Sequence, residues 1–304
     1  PTVPEPKNPS GTVIIAVSTI PEGGSLNRAG RGQEEVFWGA AETLFTSAPG
    51  PEFSQPWLVS SWQVAPDLSK VTLELQQGVQ FHKGFGEMTA EDVVWSINDA
   101  NSAVTPESVH LQAGDLAGMF GAWKVVDRYT VEAPFTTFDP RWQNYAISDG
   151  FQPTAINSKR AYDQNGEEWM KTNVVATGPF QVSEWVRNDH VNMEAVQNHW
   201  RKTPAIKFLQ WRAIADSTTR VAALRVGEVD IAAVELSDAP SLLDLGFRRG
   251  TNNQGSEINI PMAGNYWAKT HDITGQPVTR DGFDPSLPWV GDPDNPDDME
   301  KARL

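Results

Sequence analysis

The stretch Ile206–Val234, IKFLQWRAIADSTTRVAALRVGEVDIAAV, decides the architecture. Its opening, IKFLQWRAI, reads as a strand. DSTTRVAALRVGE then carries helical spacing: Asp216 or Ser217 caps the start, Val221, Leu224 and the stem of Arg225 face inward, and Gly227 ends it. VDIAAV is short and nearly all apolar, the pattern of a strand in a sheet covered on both faces. Strand, helix and strand in that order predict an α/β lobe.

Working outward, TVIIAV at residues 12–17 is a second apolar, β-branched strand, followed by the turn-rich STIPEGGSLNRAGRGQ. EEVFWGAAETLF predicts a helix with Val36, Ala40, Ala41 and Leu44 near one face. Residues 46–56 hold three prolines and a glycine and read as loop. In LVSSWQVAPDLSKVTLELQQGVQF, Val71, Leu73 and Leu75 alternate with Thr72, Glu74 and Gln76. This is a half-buried antiparallel strand, paired with the preceding one across PDLSK. WKVVDRYTVEAPF repeats the strand-turn-strand pattern, SKRAYDQNGEEWMKT is a polar helix and loop, and GPFQVSEWVRNDHVNMEAV is a hairpin turning at RNDH. Residues 271–298, rich in proline, glycine and aspartate, read as irregular or as a linker.

The composition excludes several functions. The 304 residues suggest two lobes, or one lobe with a large insertion. A formal charge of −15 opposes nucleic acid and anionic lipid, and no basic patch offsets it. Without cysteine there are no disulfides, thiolate metal sites or cysteine nucleophiles. No stretch approaches the ~20 apolar residues of a membrane span. The histidines, His82, His110, His190, His199 and His271, form no His-Glu-x-x-His pair. There is no Gly-x-Ser-x-Gly elbow and no Walker loop, and Gly30-Arg31-Gly32 is half of a dinucleotide fingerprint at best. Asp292, Asp294, Asp297 and Asp298 lack the glycine and terminal glutamate of an EF-hand and read as a solvated acidic linker. The 12 tryptophans serve cores and ligand-stacking walls equally well.

GVQFHKGFGEMTAEDVVWSINDA, from Gly78 to Ala100, gathers a histidine, a lysine and several acids. Thr89 precedes an apolar periodic run and Asp92 stands three places on, a short form of the capping box. Glu91 and Asp92 lie at the positive end of the helix dipole. Val93, Val94 and Ile97 share one side. Helix initiation thus accounts for two acids before any chemistry is invoked.

LELQQGVQFHKGFGEMTAEDVVWSIN resembles the signature of extracellular solute-binding proteins of the peptide/nickel type, family 5, the receptors of ATP-driven importers. ATGPFQVSEW resembles the family's Gly-Thr-Gly-Pro-Tyr segment, and NHWRKTPAIKFLQWRAIADSTTRVAALRVGEVDIAAV its next block. Three blocks in order cover most of residues 70–234. KGFGEM is longer than the usual turn, and Lys83 stands where aspartate or asparagine is common. The resemblance implies an α/β fold like type II (cluster C) periplasmic binding proteins: a mixed-sheet lobe with an extra α+β subdomain and no second lobe. Residues 1–45 and 170–270 would form the first large lobe, 46–169 the subdomain, and 271–304 the linker into the absent lobe. His82, Glu91 and Asp92 would organise a strand-to-helix turn and take no part in catalysis.

The resemblance also implies a receptor without cofactor or metal, exported to the periplasm or tethered at the cell surface. It would bind a small solute, peptide or oligosaccharide, and deliver it to a membrane permease. It would act as a monomer or paired with a separate second-lobe chain. A hydrolase with an unidentified acid pair is the alternative of another class. Ligands in α/β lobes lie beyond the carboxyl ends of strands. That selects Ile20, Glu22 and Asn27 after the first strand and Glu235 after VDIAAV. Asn265, Tyr266 and Trp267 follow from EINIPMAGNYW, and Trp38 is a further candidate that either stacks on a ligand or packs beneath the loop. Glu22 would receive a cationic amine or simply solvate its loop.

Overall fold

The structure, a computed structural model, describes residues 8–20, 39–47, 54–110, 112–145, 147–149, 154–170 and 173–250, with 270, 275–277, 286 and 295. The chain divides into two units, Pro1–Thr251 and Asn252–Leu304. In the second, Thr270 and Pro277 form an antiparallel bridge. Most of the 271–304 segment expected as a linker lies outside the described residues, as do Glu22, Asn27, Trp38, Asn265, Tyr266 and Trp267.

The first unit carries β1 (Ser10–Val17), β2 (Phe45–Ser47), β3 (Ser54–Pro56), β4 (Val59–Val64), β5 (Lys70–Leu75), β6 (Gln80–Phe81) and β7 (Gly86–Glu87). Then come α1 (Ala90–Ala100), α2 (Ala113–Met119), β8 (Lys124–Asp127), β9 (Thr130–Pro134), α3 (Trp142–Tyr145) and α4 (Lys159–Met170). The last elements are β10 (Phe180–Val186), β11 (His190–Ala195), β12 (Ile206–Ala213), α5 (Ser217–Val226), β13 (Ile231–Ala232) and α6 (Ala239–Asp244).

Two main sheets organise these elements. One is five-stranded, in the order β10-β11-β12-β1-β13. It is mixed: β10, β11 and β12 are antiparallel, whereas β1 is parallel to both β12 and β13. The other is four-stranded and antiparallel, in the order β4-β5-β9-β8. Alternation along β5 buries Val71, Leu73 and Leu75 against Val93 and Ile97 of α1 in a large cluster that also takes Val131, Leu116 and Ile156.

Alternation along β1 divides the larger sheet's packing. Val13, Ile15 and Val17 pack on a cluster containing Ile20, Val174, Val182 and Leu209. Ile14 and Ala16 face Ala223 and Leu224 of α5. The sheet therefore has a different core on each face of its β1 region, which is the arrangement an apolar strand such as TVIIAV requires.

Four expectations are corrected. The described part of EEVFWGAAETLF, from Gly39, is not helical. Gly39 has φ of +110°, and the chain here bonds to a distant segment, with Gly178 N–H donating to Ala40 O and Phe180 N–H to Gly39 O. Long-range pairing overrides the local helical pattern. Residues 46–56 are not all loop, because β2 and β3 pair, with Phe45 opposite Pro56. Asp149 secures that hairpin by accepting the Ser47 N–H. Arg225 is exposed, and the inward-facing arginine of α5 is Arg220. Finally, VDIAAV yields a two-residue edge strand whose Ile231 is 52% exposed, so it is not covered on both faces.

Candidate functional site

Because β12 and β13 flank β1 and run parallel to it, the carboxyl ends of all three strands meet at one end of the sheet. The register places Val17 beside Ala213 and Ala16 beside Ala232. The strand ends are tied together by backbone bonds from Ile214 N–H to Val17 O at 2.8 Å and from Ala233 N–H to Ala16 O at 2.9 Å. Asp230 fixes the register of β13. Its N–H donates to Ile14 O at 2.9 Å and its carboxylate accepts the Ile14 N–H at 2.8 Å.

Ser18 and Thr19 leave β1 exposed at this crest, as do Ala215 and Asp216 after β12 and Ala233 and Glu235 after β13. Asp216 caps α5, accepting the Thr219 N–H and hydroxyl, each at 2.7 Å. The hydroxyl bond, then the N–H bond, hold its carboxyl below the usual range. The loop after β13 turns back through Asp238 N–H, which donates to Glu235 O at 3.0 Å.

Beneath the crest lies Arg220, 4% exposed. Its Nε donates to Ala233 O at 2.6 Å, and its Nη1 donates to Ile214 O at 2.7 Å and to Ala215 O at 2.8 Å. One guanidinium thus joins the ends of the two strands that flank β1. Arg220 was missed in the sequence, although its spacing to Ala223 and Leu224 puts all three on one helical face.

Of the candidates chosen from sequence, Glu235 stands exposed at the crest, and Ile20 is 1% exposed within the core cluster under β1. Glu22, Asn27 and Trp38, which follow Ile20 in the chain, lie outside the described residues, as do Asn265, Tyr266 and Trp267.

The acids and histidines elsewhere have structural work. Glu42 is buried and accepts from Trp57 Nε1 at 3.1 Å, Trp200 Nε1 at 2.9 Å, the Thr177 hydroxyl at 2.8 Å and Arg201 Nε at 3.0 Å. The Arg201 guanidinium also stacks 3.8 Å from the Trp57 ring centre. His82 and His199 grip the same segment, through Nε2 bonds to Gly178 O at 2.8 Å and Thr177 O at 2.9 Å. His82 therefore secures residues 176–178, beyond the local turn expected for it, while Asp92 does cap α1. Glu91 lies on a shallow groove of about 390 Å³ with Trp95, Asn98 and Lys159. Among the described residues no group of three or more His, Cys, Asp or Glu could hold a metal ion, and no helix is long and apolar enough to cross a membrane.

Comparison with known proteins agrees with this architecture. Residues 54–269 match the family described as bacterial extracellular solute-binding proteins, family 5 Middle. The glutathione-binding protein GsiB of Salmonella typhimurium is 28% identical over 180 residues, 58% of this chain and 33% of that protein. Among solved structures, the binding protein MoaA of A. tumefaciens R10 in complex with mannopinic acid has a TM-score of 0.68 at 24% identity, covering 78% of this chain and 47% of its own. The periplasmic binding protein DppA of Helicobacter pylori in complex with the peptide STSA has a TM-score of 0.68 at 23% identity, covering 78% and 49%. The chain thus spans about a third of the length of the curated relatives it matches and about half that of the solved ones. The match over residues 54–269, more than half of the chain, makes it a member of the family 5 extracellular solute-binding proteins.

Proposed function

We propose that this chain is the ligand-gripping lobe of a receptor for an ATP-driven importer, taking di- or oligopeptides at the crest of β1, β12 and β13 and handing them unaltered to a membrane permease. The observation that carries the reading is the convergence of three parallel strand ends in a chain of the solute-binding family. Glu235 is the described residue proposed to face the ligand. Ile20 is proposed to anchor the segment that leads to Glu22 and Asn27, and Glu22, Asn27, Trp38, Asn265, Tyr266 and Trp267 stay proposed contacts on sequence grounds. The larger sheet, from 1–45 and 170–270, is proposed as the main lobe and 46–169 as its subdomain. An exported receptor, periplasmic or surface-tethered, fits the relatives.

Calorimetric titration of the full chain with tri-alanine, cellotriose and mannotriose tests the proposal. Saturable heat with tri-alanine, and recovery of the peptide intact after long incubation, is expected. Binding confined to the sugars makes it a saccharide receptor, and cleavage of any of the three makes it a hydrolase.

A further inference from the structure

His190 stands between two carboxylates. Its Nδ1 is 2.8 Å from Asp189 Oδ2, and its Nε2 is 3.2 Å from Glu184 Oε2. An ionised carboxylate only accepts, and a neutral imidazole donates from one nitrogen alone. With both acids ionised, only the imidazolium serves the two of them. Burial works against that charge, but the hydrogen bonds and charges of Asp189 and Glu184 outweigh it and raise the ring above its ordinary 6.5. The other charges about the ring are Arg187, in the turn between β10 and β11, and Arg212, which stands opposite His190 in the register of β11 and β12.

The ring ends a polar chain that crosses the sheet on the face opposite Val191 and Met193. Arg212 Nη2 donates to Gln210 Oε1 at 2.9 Å, Gln210 Nε2 to Asn192 Oδ1 at 2.8 Å, and Asn192 Nδ2 to Glu184 Oε2 at 2.7 Å. Every donor in it points toward Glu184. The other acid is tied to the crest, because Ala213 N–H donates to Asp189 O at 2.7 Å, and the next residue, Ile214, donates to Val17 O. One residue of the hairpin turn thus carries a carboxylate on His190 and holds the carboxyl end of β12.

We propose that His190 is a proton-operated latch on the crest: as an imidazolium it draws Glu184 and Asp189 together and holds the turn against Ala213, and as a neutral ring it releases one acid, loosens the end of β12 and weakens ligand binding. Loss of the proton leaves one N–H for two carboxylates and removes the cation between them, so their repulsion falls on the turn. This rests on the crest being the ligand site and adds a regulation to it. The grip is tighter on the acid side of the His190 midpoint and relaxes as pH rises through it. Histidine suits the role because it changes charge near neutral pH.

The test is an NMR titration of the full chain from about pH 5 to about pH 9, a span that brackets histidine titration. It follows the His190 ring and the Ala213 and Ile214 amides. His190→Gln, which keeps a donor and cannot titrate, identifies the ring signals. The His190 midpoint should lie above 6.5. The two amides should move with that midpoint in the native chain and stay still in His190→Gln. Glu184→Gln, which removes one acid and keeps an acceptor for Asn192, should lower the ring and amide midpoints together, and it carries the test alone if His190→Gln fails to fold. By calorimetry, tri-alanine should bind about threefold more tightly below the midpoint than above it, the size of an exposed ion-pair contribution. That ratio is taken relative to His190→Gln or, failing that, to Glu184→Gln, because both share any titration of the peptide itself. A His190 midpoint at or below 6.5, crest amides that ignore it, or the same affinity ratio in native and variant chains each overturns the proposal. Crest amides that follow His190 in a chain that does not bind tri-alanine uphold the latch and reject the peptide reading. Tri-alanine binding with equal ratios rejects the latch alone, so the two fail separately.

Discussion

Asp92 accepts the backbone N–H of Lys159, 67 positions further along, at 2.9 Å through Oδ1, while its Oδ2 takes the Thr89 N–H at 2.9 Å. One buried carboxylate therefore caps α1 and also fixes the start of α4. Burial raises its pKa above the usual carboxylate value, opposed by the Thr89 and Lys159 hydrogen bonds. Replacing Asp92 with alanine removes a cap, worth roughly 1 kcal/mol, and strands the Lys159 donor at a cost of roughly 1–3 kcal/mol. Urea unfolding of Asp92→Ala should show a loss of about 2–4 kcal/mol. A loss no larger than that of an exposed-cap substitution would mean the Lys159 bond contributes nothing.

Glu42 and Arg201 are 159 positions apart and form an ion pair with Glu42 almost wholly buried. Removing one member of such a pair costs about 3–5 kcal/mol, because the other is left uncompensated. Glu42→Gln should destabilise by about 3 kcal/mol and alter tryptophan emission, since Trp57 and Trp200 both donate to that carboxylate. Adding Arg201→Met should restore part of the loss. A double variant no more stable than Glu42→Gln in chemical denaturation would show that the charge is not what matters.

These two carboxylates mark the limit of what the sequence discloses. The Thr89–Asp92 cap was legible because its partners are three residues apart, and the β4–β5 hairpin because its alternation is local and its turn is PDLSK. α5 was legible from Asp216 to Gly227, which has left-handed φ of +76°. Its buried arginine was misassigned to Arg225, because a helical wheel ranks Arg by its stem and cannot see three carbonyls waiting at the strand ends. Glu42 was invisible: its four donors come from Trp57, Thr177, Trp200 and Arg201, and no local pattern gathers them. The helix expected through Leu44 failed for the same reason, as Gly39 and Ala40 answer to Gly178 and Phe180.

Gly178 and Gly227 separate packing from backbone freedom. A Cβ on Gly178 would lie 2.4 Å from Gly39 O and 2.6 Å from the Ala40 carbonyl carbon, both backbone atoms that cannot yield. A Cβ on Gly227 meets nothing within 4 Å, so only its positive φ resists substitution. Gly227→Ala should cost about 1–2 kcal/mol, and Gly178→Ala should exceed it, at about 3 kcal/mol or more. Thermal unfolding of the two variants should keep that order, and the reverse order would discount the close approach of the two segments.

His82 gives the fold a dependence on acid. Burial first, then the charges of His199 and Lys83, lower it from 6.5 to about 4, against the bond to Gly178 O. With Nε2–H donating to that oxygen, Nδ1 is buried without a hydrogen-bond partner, so a second proton would have no acceptor. The unfolded chain takes up the proton near 6.5 and the folded chain only near 4. Stability is therefore full above 6.5, falls as pH drops between these values, and levels off below about 4 as far as this group is concerned. The gap corresponds to about 3 kcal/mol. Urea unfolding from pH 7.5 to 4 should give a steeper loss for the native chain than for His82→Gln, which keeps a side-chain donor and cannot titrate. Parallel curves for the two would show that His82 is not held neutral by burial.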